Sequence, residues 1–168
     1  MEEKKMGFGE LIEDEAEGDE ARGGEVRTVP QKMGEKKKGY SEVLDEETER
    51  VATEIVDAVF RVHTTLGPGL IESVYVTCLV LELEARGLKV QREVEVPIIY
   101  LGKSIRPGLR LDLLVEDKIV VEAKAVDTMH PVFKFKTRTY LKLSGRRLGI
   151  LVNFNVPLIK DGIKRIIL

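Results

Sequence analysis

Apolar side chains recur along the chain with two periods, one typical of helices and the other typical of strands. In residues 46–66, four apolar side chains recur at intervals of three or four, which predicts a helix that Asp45 caps. Residues 70–86 are apolar on more than one face, which predicts a largely buried second helix. The other predicted elements are strands at 88–100, 109–115, 118–124, 148–154 and 163–168 and a helix at 131–144.

This order of elements predicts an α/β fold in which a mixed sheet is flanked by helices. Residues 1–44 have few large apolar side chains and include the acidic run 13–20, so we expect a disordered tail before a domain at 45–168. Two interpretations of the tail stay open, a regulatory segment and a flexible extension without function. Met33 is also a possible true start of the protein.

A predicted hairpin at 110–124 carries three charged residues inside otherwise apolar strands. Asp112 lies on its first strand, and Glu122 and Lys124 lie on its second. Charges inside a strand are costly unless they are paired or bound to a metal. A two-residue turn would place Asp112 on the opposite face from Glu122, whereas a three-residue turn centred on Asp117 would place all three charges on one face. A functional site therefore requires an odd-length turn or a bulge.

The chemistry of these three side chains allows two interpretations. Two carboxylates beside a lysine suit a hard divalent cation such as Mg²⁺ and a substrate that carries phosphate. The alternative is a solvated polar edge of the sheet, held by a salt bridge. A short motif of this kind does not choose between the two by itself.

Charge and composition narrow the class of protein. The net charge of −2 conceals an asymmetry, because residues 1–50 carry −7 and residues 51–168 carry +5. A basic domain is compatible with a polyanionic partner such as nucleic acid. No apolar run approaches the roughly 18 residues of a membrane helix. The single Cys78 cannot form an internal disulfide, so we expect a cytoplasmic protein without membrane contact.

The stretch from Leu66 to Tyr75, with the sequence LGPGLIESVY, resembles the motif of the GxxExxY protein family. The named positions of that motif are Gly69, Glu72 and Tyr75 here. Further motifs of the family are matched in the same order by residues 110–112, 122–124, 139–143 and 151–165. The resemblance covers about residues 48–168.

This family is placed in the PD-(D/E)XK nuclease-like superfamily, so the resemblance implies a restriction-endonuclease-like α-β-β-β-α-β core. That core would consist of helix 70–86, strands 88–98, 109–115 and 118–124, helix 131–144 and strand 148–153. The resemblance also implies four catalytic residues. Glu72, Asp112 and Glu122 would hold Mg²⁺ or Mn²⁺, and Lys124 would position or activate a water. Glu72 has an alternative role as a favourable charge at a helix N-terminus.

The substrate side of the implied site departs from the superfamily pattern. The superfamily commonly has a Gln four residues before a Tyr on the second core helix, and here Lys136 stands four residues before Tyr140. We expect Lys136, Arg138 and Tyr140 to contact the substrate, with a phosphate as the partner of Lys136. An ordinary solvated helix face is the alternative interpretation of these basic residues.

Two functions follow from these observations. One is a Mg²⁺-dependent nuclease that hydrolyses phosphodiester bonds of DNA or RNA. The other is a non-catalytic module that binds nucleic acid or a protein on a nuclease-like fold. The intact set of four site residues favours the enzyme. His63 and His130 are too isolated to form a zinc site, so we expect structural roles for both.

Overall fold

The structure is a computed structural model that describes residues 44–168. The predicted tail lies outside the described residues except for Leu44, which is buried in the core. The elements are α1 (Glu46–Leu66), α2 (Glu72–Ala85), β1 (Val90–Tyr100), β2 (Lys103–Val115), β3 (Ile119–Lys124), α3 (Val132–Ser144), β4 (Leu148–Asn153), α4 (Ile159–Gly162) and β5 (Ile163–Ile167). Within this range, no helix is long and apolar enough to span a membrane.

The five strands form one mixed sheet in the order β1-β2-β3-β4-β5. All neighbouring pairs are antiparallel except β3 and β4, which are parallel and are joined through α3. A parallel pair needs a crossover connection of this kind, usually a helix. The predicted α/β fold with a mixed sheet between helices is confirmed.

Two apolar clusters lie on opposite faces of the sheet. Alternate residues of β3 belong to different clusters, since Val121 and Ala123 pack with α1 and α2 whereas Val120 packs with Leu141 of α3. This alternation is the two-residue period of a strand that is covered on both faces. The face that carries α3 is also the face of Glu122 and Lys124, because both lie an even number of residues from Val120.

The largest difference from the predicted elements is the length of β2, which starts at Lys103 instead of residue 109. A two-residue turn at Leu101 and Gly102, with φ of 48° and 75°, joins it to β1. Positive φ at both central residues is typical of the hairpin turn that matches strand twist. Residues 106–108, which resemble a loop in the sequence, lie inside β2, where the register with β1 shifts next to Val96.

Helix α3 approaches the sheet closely at Gly149 of β4. A Cβ at this position would lie 2.9 Å from Cγ2 of Thr137 and 3.3 Å from Cδ1 of Leu141. Both helix residues are fully buried. The absent side chain at position 149 therefore sets how near α3 lies to the strands, and so how far the neighbouring Lys136 reaches over β3.

Candidate active site

The turn between β2 and β3 has three residues, Glu116 to Lys118, as the site required. Val115 pairs with Ile119 and Leu113 pairs with Val121. The Lys118 N–H donates to the Val115 carbonyl at 3.0 Å and closes the turn. Continuing this register would pair residue 112 with residue 122, so the turn puts Asp112 and Glu122 on the same face of the sheet.

Backbone pairing between β2 and β3 stops before Asp112, and the Asp112 side chain makes the next hydrogen bond between the two strands. Regular pairing of β2 with β3 ends at Leu113, and the Asp112 carboxylate then accepts a hydrogen bond from the Ala123 N–H at 3.2 Å. On its other side, the pairing of β1 with β2 skips Asp112 and Glu93, whose φ is +50°. The Asp112 carboxylate thus lies beside the end of β3, where it bonds to Ala123.

Lys124 brings the predicted catalytic residues together. Its ammonium nitrogen lies 3.2 Å from Oε1 of Glu122, 3.4 Å from Oε1 of Glu72 and 3.5 Å from Oδ2 of Asp112. The ammonium also donates to the carbonyl oxygen of Ala123. The Lys124 side chain is only 9% exposed, so these contacts are poorly screened by water.

Glu72 reaches this cluster because Tyr75 fixes the start of α2. The Tyr75 hydroxyl donates to the Gly67 carbonyl at 2.6 Å and accepts from the Leu70 N–H at 3.1 Å. Gly67 and Gly69 have φ of 71° and 100°, a region that glycine adopts without strain. Tyr75 therefore has a structural role within the GxxExxY-like motif, and it holds the loop that precedes Glu72, the first residue of α2.

The end of β3 is held by a buried amide that the sequence analysis did not single out. Asn153 accepts from the Val126 N–H at 3.0 Å and the Asn155 N–H at 3.2 Å, and it donates to the Val126 carbonyl at 2.8 Å. The next residue along, Phe154, donates its N–H to the Lys124 carbonyl at 2.7 Å. The signal available in the sequence was a polar residue that closes an otherwise apolar strand.

Helix α3 adds a second ammonium group to Glu122. Nζ of Lys136 lies 2.7 Å from Oε1 of Glu122 and 5.0 Å from the ring centroid of Tyr140, which lies one turn along the same helix. The sequence predicted that Lys136 contacts substrate, and its pairing with a predicted metal ligand was not foreseen. Arg138 is exposed and lies about 200° around the helix from Lys136, so the structure does not bring it to the carboxylates.

Burial and charge together set the protonation of the site. Burial of the fully covered Glu122, followed by repulsion from Asp112, raises the pKa of the Glu122 carboxyl, although both lysines act in the opposite direction. Burial lowers the pKa of Lys124 and of Lys136, but it is outweighed by the three carboxylates around Lys124 and by Glu122 and Tyr140 beside Lys136, so both ammonium pKa values are raised. The two effects are compatible, because Glu122 ionises at a pH above that of an ordinary carboxyl and both lysines lose their protons at still higher pH.

Three carboxylates are a set of ligands that fits a hard divalent cation. Among the described residues, however, they surround the ammonium of Lys124. Between residues 44 and 168, no group of three or more His, Cys, Asp or Glu side chains is placed closely enough to hold a metal. However, Oε2 of the buried Glu122 has no hydrogen-bond partner among the described residues, and Asp112 repels it. An unpaired carboxylate oxygen next to a second carboxylate is the chemistry that Mg²⁺ or Mn²⁺ satisfies.

Comparison with known proteins agrees with this geometry. The family model of the PD-(D/E)XK nuclease superfamily matches residues 49–166, which include every strand pairing around the site. No curated protein and no solved structure matches the chain. PD-(D/E)XK nucleases generally use divalent metal ions. The α/β fold, the convergent acidic residues and lysine, and this match over most of the chain show that the protein belongs to the PD-(D/E)XK nuclease superfamily.

Proposed function

We propose that the protein is a nuclease of the GxxExxY type that uses Mg²⁺ or Mn²⁺ to hydrolyse phosphodiester bonds of DNA or RNA. The single observation that carries the proposal is the convergence of three carboxylates from α2, β2 and β3 on the ammonium of Lys124. Such a cluster supports the proposal because it combines carboxylates that suit a metal with a cation that suits a phosphate. The superfamily match supports a nuclease-like function for this domain.

In this proposal, Glu122 and Asp112 would hold the metal, and Glu72 would complete the ligand set from the exposed side. A bound divalent metal would neutralise charge on the phosphate and lower the pKa of a water. Lys124 donates a hydrogen bond to the reacting phosphate or to the attacking water, and it stabilises the negative charge that develops. The water oxygen forms a new bond to phosphorus while the ester oxygen leaves, so the products are one phosphate monoester and one hydroxyl end.

The surroundings of the cluster give Lys136, Tyr140 and Arg138 different parts in substrate binding. Lys136 and Tyr140 lie at the site face of α3, where a bound phosphate would come within reach. Arg138 lies on the outer side of the helix and would contact a nucleic-acid backbone only beyond the site. No acidic residue occurs in α3, so its exposed surface favours a polyanion.

A second function, a non-catalytic binding module, is favoured by the charge pairing. Lys124 and Lys136 both contact Oε1 of Glu122, so two ammonium groups already compensate the buried carboxylate without a metal. A site that is stable in this form would still bind nucleic acid through α3. Cleavage is the property that separates the two functions.

The test is incubation of the purified full chain with single- and double-stranded DNA and RNA in Mg²⁺, Mn²⁺ or a chelator. Wild type, Asp112→Asn and Lys124→Ala are compared with Glu95→Gln, a control at an exposed carboxylate of β1 outside the cluster. We expect metal-dependent cleavage by wild type and Glu95→Gln, and loss of cleavage in the other two. Metal-independent cleavage, or cleavage that survives Asp112→Asn, would overturn the proposal.

A further inference from the structure

Lys136 contacts Oε1 of Glu122, the same carboxylate oxygen that Lys124 contacts. Its ammonium lies closer to Oε1 of Glu122, at 2.7 Å, than Lys124 does, at 3.2 Å. The other oxygen, Oε2, is buried and lacks a hydrogen-bond partner among residues 44–168. A cation that binds both oxygens of Glu122 must therefore displace an ammonium group.

The two lysines differ in how easily they can leave. Lys124 is 9% exposed and contacts three carboxylates, whereas the Lys136 side chain is 40% exposed and contacts one. Lysine carries its charge on a flexible four-carbon stem with rotatable donors. Lys136 can thus swing toward solvent, or toward a ligand above the site, without disturbing the buried strands.

The net charge of the cluster indicates which ligand the displaced Lys136 ammonium would contact. With Glu72, Asp112 and Glu122 ionised and both lysines protonated, the cluster carries a net charge of −1. A divalent cation changes this to +1, with the Lys136 ammonium close to the new charge. A phosphodiester carries −1 and returns the cluster to neutrality while offering oxygens to the displaced ammonium.

We infer that Lys136 is an internal counterion of Glu122 that a divalent cation displaces when it binds both carboxylate oxygens, so that the metal and a phosphodiester bind this site cooperatively. The inference rests on the proposed function and adds to it a residue that sets metal affinity. Lys136 opposes the metal when the substrate is absent and joins the phosphate when the substrate is present. Linkage requires that the metal strengthens nucleic-acid binding by the same factor.

The test is calorimetric titration of the full chain with Mn²⁺, with and without a phosphorothioate-linked oligonucleotide that resists cleavage. We expect the oligonucleotide to tighten Mn²⁺ binding to wild type by about tenfold or more, within the usual range of coupling between sites. Lys136→Met removes the ammonium and keeps the apolar stem. It should bind Mn²⁺ more tightly than wild type without oligonucleotide, and the oligonucleotide should tighten its Mn²⁺ binding less than it does for wild type.

Two controls make failure of the inference distinguishable from failure of the proposed function. Lys142→Met makes the same change at an exposed position of α3 away from the carboxylates and should titrate like wild type. Asp112→Asn should lose Mn²⁺ binding. If it does so while Lys136→Met gains no affinity, or retains wild-type coupling, the inference is overturned and the metal site stands. If Asp112→Asn titrates like wild type, both the inference and the proposed function fail.

Thermal melts and Lys136→Gln check that a folding defect does not mimic either result.

Discussion

The rings of Tyr75 and Phe154 stack face to face, with centroids 4.6 Å apart and planes within 5° of each other. Both side chains are fully buried. Tyr75 fixes the start of α2, and Phe154 donates its N–H to the Lys124 carbonyl. This one contact joins the element that carries Glu72 to the strand end that carries Lys124.

Removing the Tyr75 hydroxyl should destabilise the protein although the stacked ring remains. Tyr75→Phe removes the hydrogen bonds to the Gly67 carbonyl and from the Leu70 N–H, and we expect a loss of about 1–3 kcal/mol at roughly 0.5–1.5 kcal/mol per bond. Urea unfolding measures the free energy. Tyr100→Phe, the same change at an exposed tyrosine of β1, is the control for loss of a hydroxyl. Equal effects of the two changes would contradict the role of the loop contact.

Asn153 should matter more than its neighbour Asn155. Asn153→Ala removes three hydrogen bonds that hold Val126 and the following loop, and we expect it to lower the free energy of unfolding by about 2–4 kcal/mol at roughly 1 kcal/mol per bond plus buried groups left unpaired. Asn155→Ala removes an exposed bond to Asp127 and should cost less than about 1 kcal/mol. Denaturant titration compares them, and a larger effect of Asn155→Ala would contradict this account.

Mn²⁺ should raise the melting temperature of wild type but not of Asp112→Asn. A ligand that binds only the folded state stabilises it by about 2.7 kcal/mol at a hundredfold excess over its dissociation constant. Without metal, the two proteins should have similar stability, because relief of the repulsion with Glu122 offsets the lost contact with Lys124. Differential scanning calorimetry over a full Mn²⁺ titration measures the response. Identical responses of the two proteins would show that Asp112 is not a metal ligand.

The raised pKa of Glu122 predicts a specific dependence of stability on pH. The folded state keeps the Glu122 proton to a higher pH than the unfolded state, whose carboxyl has a pKa near the ordinary value of 4.5. The folded state therefore binds more protons in the window above that value, so the free energy of unfolding falls as pH rises through it. Glu122→Gln has no such titration.

This pH prediction is checked as a difference between the two proteins, since other carboxyl groups titrate in both. Metal-free wild type should lose stability relative to Glu122→Gln as the pH rises from about 4.5 toward neutral, and urea unfolding at each pH measures it. A difference that stays constant over this range would mean that the pKa of Glu122 is not raised.

Sequence patterns predicted the sheet and the three charges of the hairpin, but they left the face of Asp112 open. The sheet face on which Asp112 lies depends on whether the turn has two or three residues, and the sequence of Glu116 and Asp117 allowed either. In the structure, Glu116 and Asp117 both have a φ of 52°. The register of the paired strands shows that the turn has three residues. The contact of Lys136 with Glu122 depends on how close α3 lies to β3, which no local pattern encodes.

The lack of a side chain at Gly149 links the packing of α3 to the proposed metal site, although Gly149 contacts none of the carboxylates. Adding a methyl group there would press on Thr137, the residue next to Lys136, and overpacking of this kind costs about 1–3 kcal/mol. Part of that strain would be relieved by lifting α3, which lengthens the contact between Lys136 and Glu122. If the proposed site binds a metal, Gly149→Ala would then alter the metal affinity without changing any of the proposed ligands.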